Sequence, residues 1–226
     1  MLKCDFHAHS QGDPADGFLK FSPEQLIDRY ADNDYDVCAI TWHDGYAYTK
    51  QLADYAKEKG LLLLPGMERE IEGHHVLLIN FSEQACMRAQ TFDDLQKEKN
   101  EENLVIAPHP YYPLGCSLHE KLDGHIDMFD AIEWSYFFSD LWWNKKAAIT
   151  AKEHGKSLVG GGDVHALWQV GKCYTNVDAE PTVKSVIRAV KEGKVEHVPP
   201  PFLRQIPRQM LLVARGNLYQ LGQKHL

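Results

Sequence analysis

Leu2-Lys3-Cys4-Asp5-Phe6-His7-Ala8-His9 ends a short apolar run on two histidines spaced two apart. A strand places residues i and i+2 on one face, so His7 and His9 are expected to project together from the end of the first strand. The same arrangement recurs down the chain. His43 follows a second apolar run in Ala39-Ile40-Thr41-Trp42-His43-Asp44, and Glu68 follows a third in Pro65-Gly66-Met67-Glu68. His75 opens the next run, and His109 closes another in Ala107-Pro108-His109-Pro110. Asp163 and His165, again two apart, follow Gly160-Gly161-Gly162.

Between these stretches, short apolar runs alternate with amphipathic ones. Strands are expected over residues 2–6, 37–41, 61–64, 76–81, 104–107, 131–134, 157–159 and 173–177. Helices are expected over 22–31, 46–59, 91–99, 140–153 and 181–192. Ser22-Pro23 supplies an N-cap with proline in the first turn, and Gly60, Gly155 and Gly193 suit C-terminal caps. Such alternation argues for an α/β fold with a mainly parallel sheet, open or closed into a barrel. In these folds the loops after the carboxyl ends of the strands gather on one face, where active sites lie. The expected organisation is a barrel over residues 1–198 and a proline-led tail over 199–226, with one helix packed on the barrel.

The 226 residues are 44% hydrophobic and 25% charged, enough to build a full core. A net charge of −8 works against long contact with nucleic acid, which relies on neutralising many phosphates with Lys and Arg. A small phosphorylated substrate remains open, because bound metals reverse the local field. The five cysteines lack a C-x-x-C pair and read as reduced thiols. Met1-Leu2-Lys3 leads into Asp5-Phe6-His7 without a signal-peptide pattern, and no apolar run is long enough to span a bilayer. A cytoplasmic location away from membranes is expected.

Six imidazoles and three carboxylates packed together without cations would cost several kcal/mol in desolvation and repulsion. Divalent ions remove that cost. Nitrogen and carboxylate donors without thiolate suit Zn, Mn or Fe, and two to three such ions are expected.

In this order the residues resemble the PHP (polymerase and histidinol phosphatase) superfamily of metal-dependent phosphoesterases. Asp5-Phe6-His7-Ala8-His9-Ser10 is similar to its first motif, and Asp16-Gly17 with Ser22-Pro23-Glu24-Gln25-Leu26 to its "D-G … P-E-E-L" segment. Ala39-Ile40-Thr41-Trp42-His43-Asp44 resembles "A-I-T-D-H-D"; Pro65-Gly66-Met67-Glu68 with His75-Val76-Leu77 resembles "P-G-x-E … H-x-L". Ala107-Pro108-His109-Pro110, Gly162-Asp163-Val164-His165 and the stretch from Val170-Gly171 to Tyr174-Thr175 resemble its closing motifs. The resemblance implies a distorted, TIM-like (β/α) barrel of seven units, with its site at the C-terminal ends of the strands. It also implies that His7, His9, Glu68 and Asp163 hold one metal, that Glu68 bridges to a second held by His75 and His109, and that Asp16, His43 and His165 hold a third. Glu68, Asp163 and His165 are the expected catalytic residues.

Trp42 stands where the family has Asp, which removes a carboxylate beside His43 and makes the third metal the most weakly held. Ala15 stands where "S-D-G" usually has Ser, and the "H-x-L" pattern selects His75 over His74. Paired metals lower the pKa of a bridging water and so supply hydroxide for attack on a phosphoester. Arg69 and Lys172, beside Glu68 and Gly171, are candidates for phosphate contacts. Tyr112, one of several aromatics near the expected site, is a candidate for stacking on a ring-bearing substrate. Two rivals remain: an amidohydrolase-like C–N hydrolase, which a third-strand Glu68 fits less well, and a metal-binding module without turnover.

Overall fold

The computed structural model describes residues 1–137 and 142–200, together with Ala214. β1 (Leu2–Asp5) leads to α1 (Pro23–Ala31), β2 (Val37–Ala39), α2 (Lys50–Glu58) and β3 (Leu62–Leu64). A hairpin of β4 (Gly66–Ile71) and β5 (His74–Ile79) precedes α3 (Glu83–Arg88), α4 (Phe92–Glu98) and β6 (Leu104–Ala107). α5 (Glu120–Gly124), β7 (Ala131–Ser135), α6 (Trp142–Glu153), β8 (Ser157–Gly161), β9 (Tyr174–Val177), α7 (Val183–Lys191) and β10 (Val195–Val198) follow. The helix expected in the tail lies outside the described residues, Ala214 excepted.

Local chemistry sets these bounds. Ser22 Oγ accepts from Gln25 N and Gln25 Oε1 accepts from Ser22 N, a reciprocal cap with Pro23 beside it. α2 starts later than residue 46 because Thr49 holds the capping hydroxyl, which accepts from Leu52 N. Gly60, at φ +80, follows its C-terminus, as a left-handed cap requires.

The strands form two five-stranded sheets, ordered β10-β9-β1-β2-β3 and β4-β5-β6-β7-β8. The α/β class agrees with the alternation, but the pairing is mixed rather than mainly parallel. β1–β2, β2–β3, β6–β7 and β7–β8 are parallel; β1–β9, β9–β10, β4–β5 and β5–β6 are antiparallel. These ladders make two sheets and stop short of the closed barrel of seven units that the resemblance implied. The antiparallel pairing has one cause in the link between β4 and β5. Glu72 and Gly73, at φ 50 and 82, turn the chain straight back, and two residues cannot make the crossover a parallel pair needs.

Side chains divide between the faces with period two. Cys4, Val37, Leu77, Ile106, Ala131 and Val159 meet in one apolar cluster fed by both sheets and by α7. Val76, Leu78, Val105 and Ile132 point the other way, against α4 and α6. Both faces are dry, which is why these strands read as continuous apolar runs. The two sheets touch through isolated bridges, Ala8↔Val164 and His43↔Glu68. Both seams fall among the histidines and carboxylates singled out by the sequence.

Gly161 on β8 faces Glu133 on β7, and a Cβ there would lie 1.7 Å from Glu133 Oε1. Glu133 is buried and bonded to His7 Nδ1 and to the backbone N–H of His109, so it has little freedom to move. Gly161→Ala is expected to cost about 1–3 kcal/mol of unfolding free energy. Denaturant titration reads this as a lowered midpoint; an unchanged midpoint would show that the contact relaxes freely.

Candidate metal centre

Glu68 stands inside β4, and its carboxylate is buried. Its Oε2 lies 3.1 Å from His7 Nε2, 3.2 Å from His9 Nε2 and 3.2 Å from His43 Nε2. Its Oε1 lies 2.7 Å from His75 Nδ1 and 3.1 Å from His109 Nε2. Five imidazoles converge on one carboxylate. Asp163 Oδ1 extends the group, 3.5 Å from both His7 Nε2 and His9 Nε2 and 3.3 Å from His165 Nδ1. His165 Nε2 reaches Asp16 Oδ2 at 2.9 Å, and that oxygen is 3.4 Å from His43 Nδ1. All nine ligand positions expected from the sequence therefore lie in one connected group. His74 does not join it: its Nδ1 lies 2.8 Å from Ser117 O.

The fold explains the gathering. His7 and His9 follow β1, His43 follows β2, His109 follows β6, and Asp163 and His165 follow β8. Glu68 and His75 come from the two arms of the β4–β5 hairpin, as diagonal neighbours in its ladder. His109 and Asp163 adopt φ of 29 and 43, backbone that non-glycine residues rarely hold and that concentrates at functional sites.

The donor set fits divalent ions. Ring nitrogens and carboxylate oxygens gather within 4.8 Å in overlapping sets, among them His7, His9 and Glu68; His43, Glu68 and His75; and His9, Asp163 and His165. His9 Nε2 and His75 Nδ1 crowd Glu68 without hydrogen-bond alignment, and His109 Nδ1 has no hydrogen-bond partner among the described residues. Nitrogens that surround a carboxylate without bonding to it suit a cation between them.

Burial alone would raise these carboxylates and lower these imidazoles. Pairing outweighs it. Glu68 is held well below the usual carboxylate range against that burial, by His75 first and then by His7 and His43. Asp13, Asp16 and Asp163 are lowered in the same way by their histidine partners. His7, His9, His75 and His165 are raised despite burial, because carboxylates surround them. Raised imidazoles favour their protonated form, so protons compete with an incoming ion for these rings.

Two buried carboxylates absent from the expected set support it. Asp13 Oδ2 lies 2.7 Å from His9 Nδ1 and 3.2 Å from His43 Nδ1. Glu133 Oε1 lies 2.9 Å from His7 Nδ1, and Glu133 Oε2 accepts from His109 N at 2.8 Å. A lone Glu in the apolar run Ala131-Ile132-Glu133-Trp134 was a legible signal; Asp13, in a Gly- and Pro-containing loop, gave none. The carboxylate missing at Trp42 thus has a counterpart in Asp13.

Of the expected substrate contacts, Arg69 turns away from the group and Tyr112 borders it. Arg69 leaves β4 from the other face, donates to Ala89 O and pairs with Asp44. Lys172 makes no ion pair among the described residues. Tyr112 is buried, 2% exposed, with its ring 5.7 Å from that of His109 and Ser135 and Asn144 near its hydroxyl. It forms part of a wall, and the half-buried Phe18 stacks over His165 instead.

Residues 142–195 match the PHP-associated family. No curated protein matches the chain. The fold is similar to that of a two-domain protein from Bacteroides vulgatus containing a predicted PHP-like metal-dependent phosphoesterase, with TM-score 0.67 and 19% identity over 87% of this chain and 64% of that one. This chain thus spans less than two thirds of that protein. PsfC from Pseudomonas syringae gives 0.64 and 19% identity over 98% of both chains. An amidohydrolase from Chromobacterium violaceum, with bound sulfate and no metal, gives 0.58 and 18% over 88% of this chain and 98% of its own. The family match and the shared fold bear out the resemblance to the PHP superfamily. Among the described residues, no helix is long and apolar enough to cross a membrane.

Two outcomes test the centre. An imidazole with a raised pKa stabilises the fold below about pH 6.5, and that contribution fades as pH rises through the raised value. Thermal unfolding of chelator-treated protein is therefore expected to show falling stability above about pH 6.5, while metal-loaded protein gains stability as protons cease to compete. Parallel pH profiles would count against the centre. His75→Ala is expected to lower bound metal, by elemental analysis, whereas His74→Ala leaves it unchanged.

Proposed function

We propose that the chain is a metal-dependent phosphoesterase hydrolysing a small organic phosphate, a phosphomonoester or a nucleotide-type compound. The convergence of five imidazoles on the buried carboxylate of Glu68 carries the proposal. A carboxylate with nitrogen donors at each of its oxygens suits a bridge between two ions. His7, His9, Glu68 and Asp163 would hold one, Glu68, His75 and His109 a second, and Asp16, His43 and His165 a third. The ions would be Zn, Mn or Fe, two to three per chain. A distorted barrel over residues 1–198 is the proposed scaffold, supported by the apolar interior that the two sheets share.

Bound ions supply Lewis acidity: they bring the pKa of water toward neutrality and offset the charge that gathers on phosphate. The rest falls to the protein. Glu68, fixed in the hairpin ladder, sets the spacing of the donors. His43, His75, His165 and Asp163 are the partly exposed members, with side chains 18, 16, 16 and 11% accessible. Substrate would enter on their side, while the fully buried His7 and His9 close the rear. Water would add to phosphorus, the bond to the organic oxygen would break, and that oxygen would take the proton. Asp163 and His165 would orient the reactants at the opening. The net charge of −8 favours a small substrate over a polynucleotide.

C–N hydrolysis is the competing reading. The fold shared with the Chromobacterium amidohydrolase favours it, as does the place of Glu68 on the fourth strand in chain order rather than the third. The full chain loaded with Mn or Zn is expected to release phosphate from small phosphoesters, and Glu68→Ala to abolish turnover. Turnover of amides without phosphate release would replace this proposal with its competitor.

A further inference from the structure

Asp13 occupies none of the nine ligand positions, yet it is buried and touches two of them. We propose that Asp13 is a positioning residue for the pair His9 and His43, and that Trp42 fastens the loop from which it reaches them. The inference rests on the metal-centre reading.

The His9 and His43 rings stack with centroids 4.4 Å apart and planes 19° apart. At one end both Nδ1 atoms meet Asp13 Oδ2, at 2.7 and 3.2 Å. At the other end both Nε2 atoms lie 3.2 Å from Glu68 Oε2. One carboxylate therefore selects the same tautomer in two rings, with Nδ1–H donated and the Nε2 lone pair aimed at the centre. Asp13 is itself held by backbone: its Oδ2 accepts from His43 N at 3.0 Å and its Oδ1 from Ala15 N at 2.9 Å. An acceptor fixed on two N–H groups cannot swing away from the rings.

Trp42 accounts for the loop. Its Nε1–H donates to Ser10 Oγ at 2.8 Å, and its indole lies against Gly12, where a Cβ would sit 2.5 Å from the ring. Gly12 also holds φ +105, so both the ring and the backbone require glycine there. The resembled family places Asp at position 42, on the same segment as His43. In this chain the carboxylate arrives from the loop after β1, and the indole pins that loop.

The experiment uses the full chain. Metal-free protein is titrated with Zn against a chromophoric chelator, and nitrogen NMR, at a pH high enough for the rings to be neutral, reads the His9 and His43 tautomers before metal is added. Asp13→Asn is expected to weaken at least one Zn by about 10–100-fold and to mix the two tautomers. Trp42→Phe, which keeps a ring but loses the N–H, is expected to do the same more weakly. Trp42→Asp is expected to weaken Zn, because it frees the loop and sets a second carboxylate beside Asp13. Wild-type affinity and unmixed tautomers in Asp13→Asn would overturn the proposal. Should that variant fail to fold, the same result in Trp42→Phe would do so. If the wild type itself takes up no Zn, the metal reading fails, while the tautomers of the metal-free protein still decide the role of Asp13.

Discussion

Glu68 brings one negative charge into a space where five ring nitrogens lie within 3.2 Å of its two oxygens. Desolvating a carboxylate to this degree costs on the order of several kcal/mol unless cations balance it, whether protonated imidazoles or metal ions. The surrounding fold holds that charge in place. On one side the antiparallel ladder sets Glu68 opposite Leu77. On the other, Glu68 N donates to Trp42 O at 3.1 Å and Glu68 O accepts from Asp44 N at 2.9 Å. The backbone of this one residue is thus clamped between the hairpin and the strand end that carries His43. The point from which its side chain starts can move only if one of those elements moves.

That clamp is one of two isolated bridges between the sheets, and the other joins Ala8 to Val164, with His9 N donating to Val164 O. Inside a continuous ladder the side chains alternate strictly, and neighbouring strands present large apolar groups to each other. Where two sheets only touch, the strands run out into loops, and polar side chains from both sheets meet there. His7, His9, Asp163 and His165 line one seam, and His43 and Glu68 the other. The dry cluster between the sheets supplies the low dielectric that makes each charged contact strong.

The strand ends that carry the candidate site were legible because short apolar runs gave way to His or Asp. The positions of His7, His9, His43, His109, Asp163 and His165 follow from that punctuation. The hairpin was not read, because Glu68 looks like a residue after a strand when Pro65-Gly66 precedes it; the decisive signal was Glu72-Gly73, a pair suited to positive φ. β10 escaped because Val195–Val198 is short, half polar and next to a proline run. Arg69 turns away from the group for a plain reason. Nearness in sequence to a ligand says nothing about face, and period two sends Arg69 away from the site that Glu68 enters.

The buried carboxylates divide by what they accept from. Asp5 accepts from the N–H groups of His7 and Gly162 and from Tyr30 Oη; Asp13 and Glu133 likewise accept from backbone N–H. Such groups are satisfied by the folded chain itself and serve as its scaffold, whatever else is bound. Glu68, Asp16 and Asp163 have side-chain oxygens that meet only imidazoles among the described residues. Imidazoles can balance them only while protonated, a state that weakens as pH rises. The first set makes the site rigid and the second makes it depend on cations. A site with only the first would be structural, and one with only the second would spread apart whenever its ions were lost. Asp13 and Glu133, layered behind the histidines, tie His9, His43, His7 and His109 to the first set.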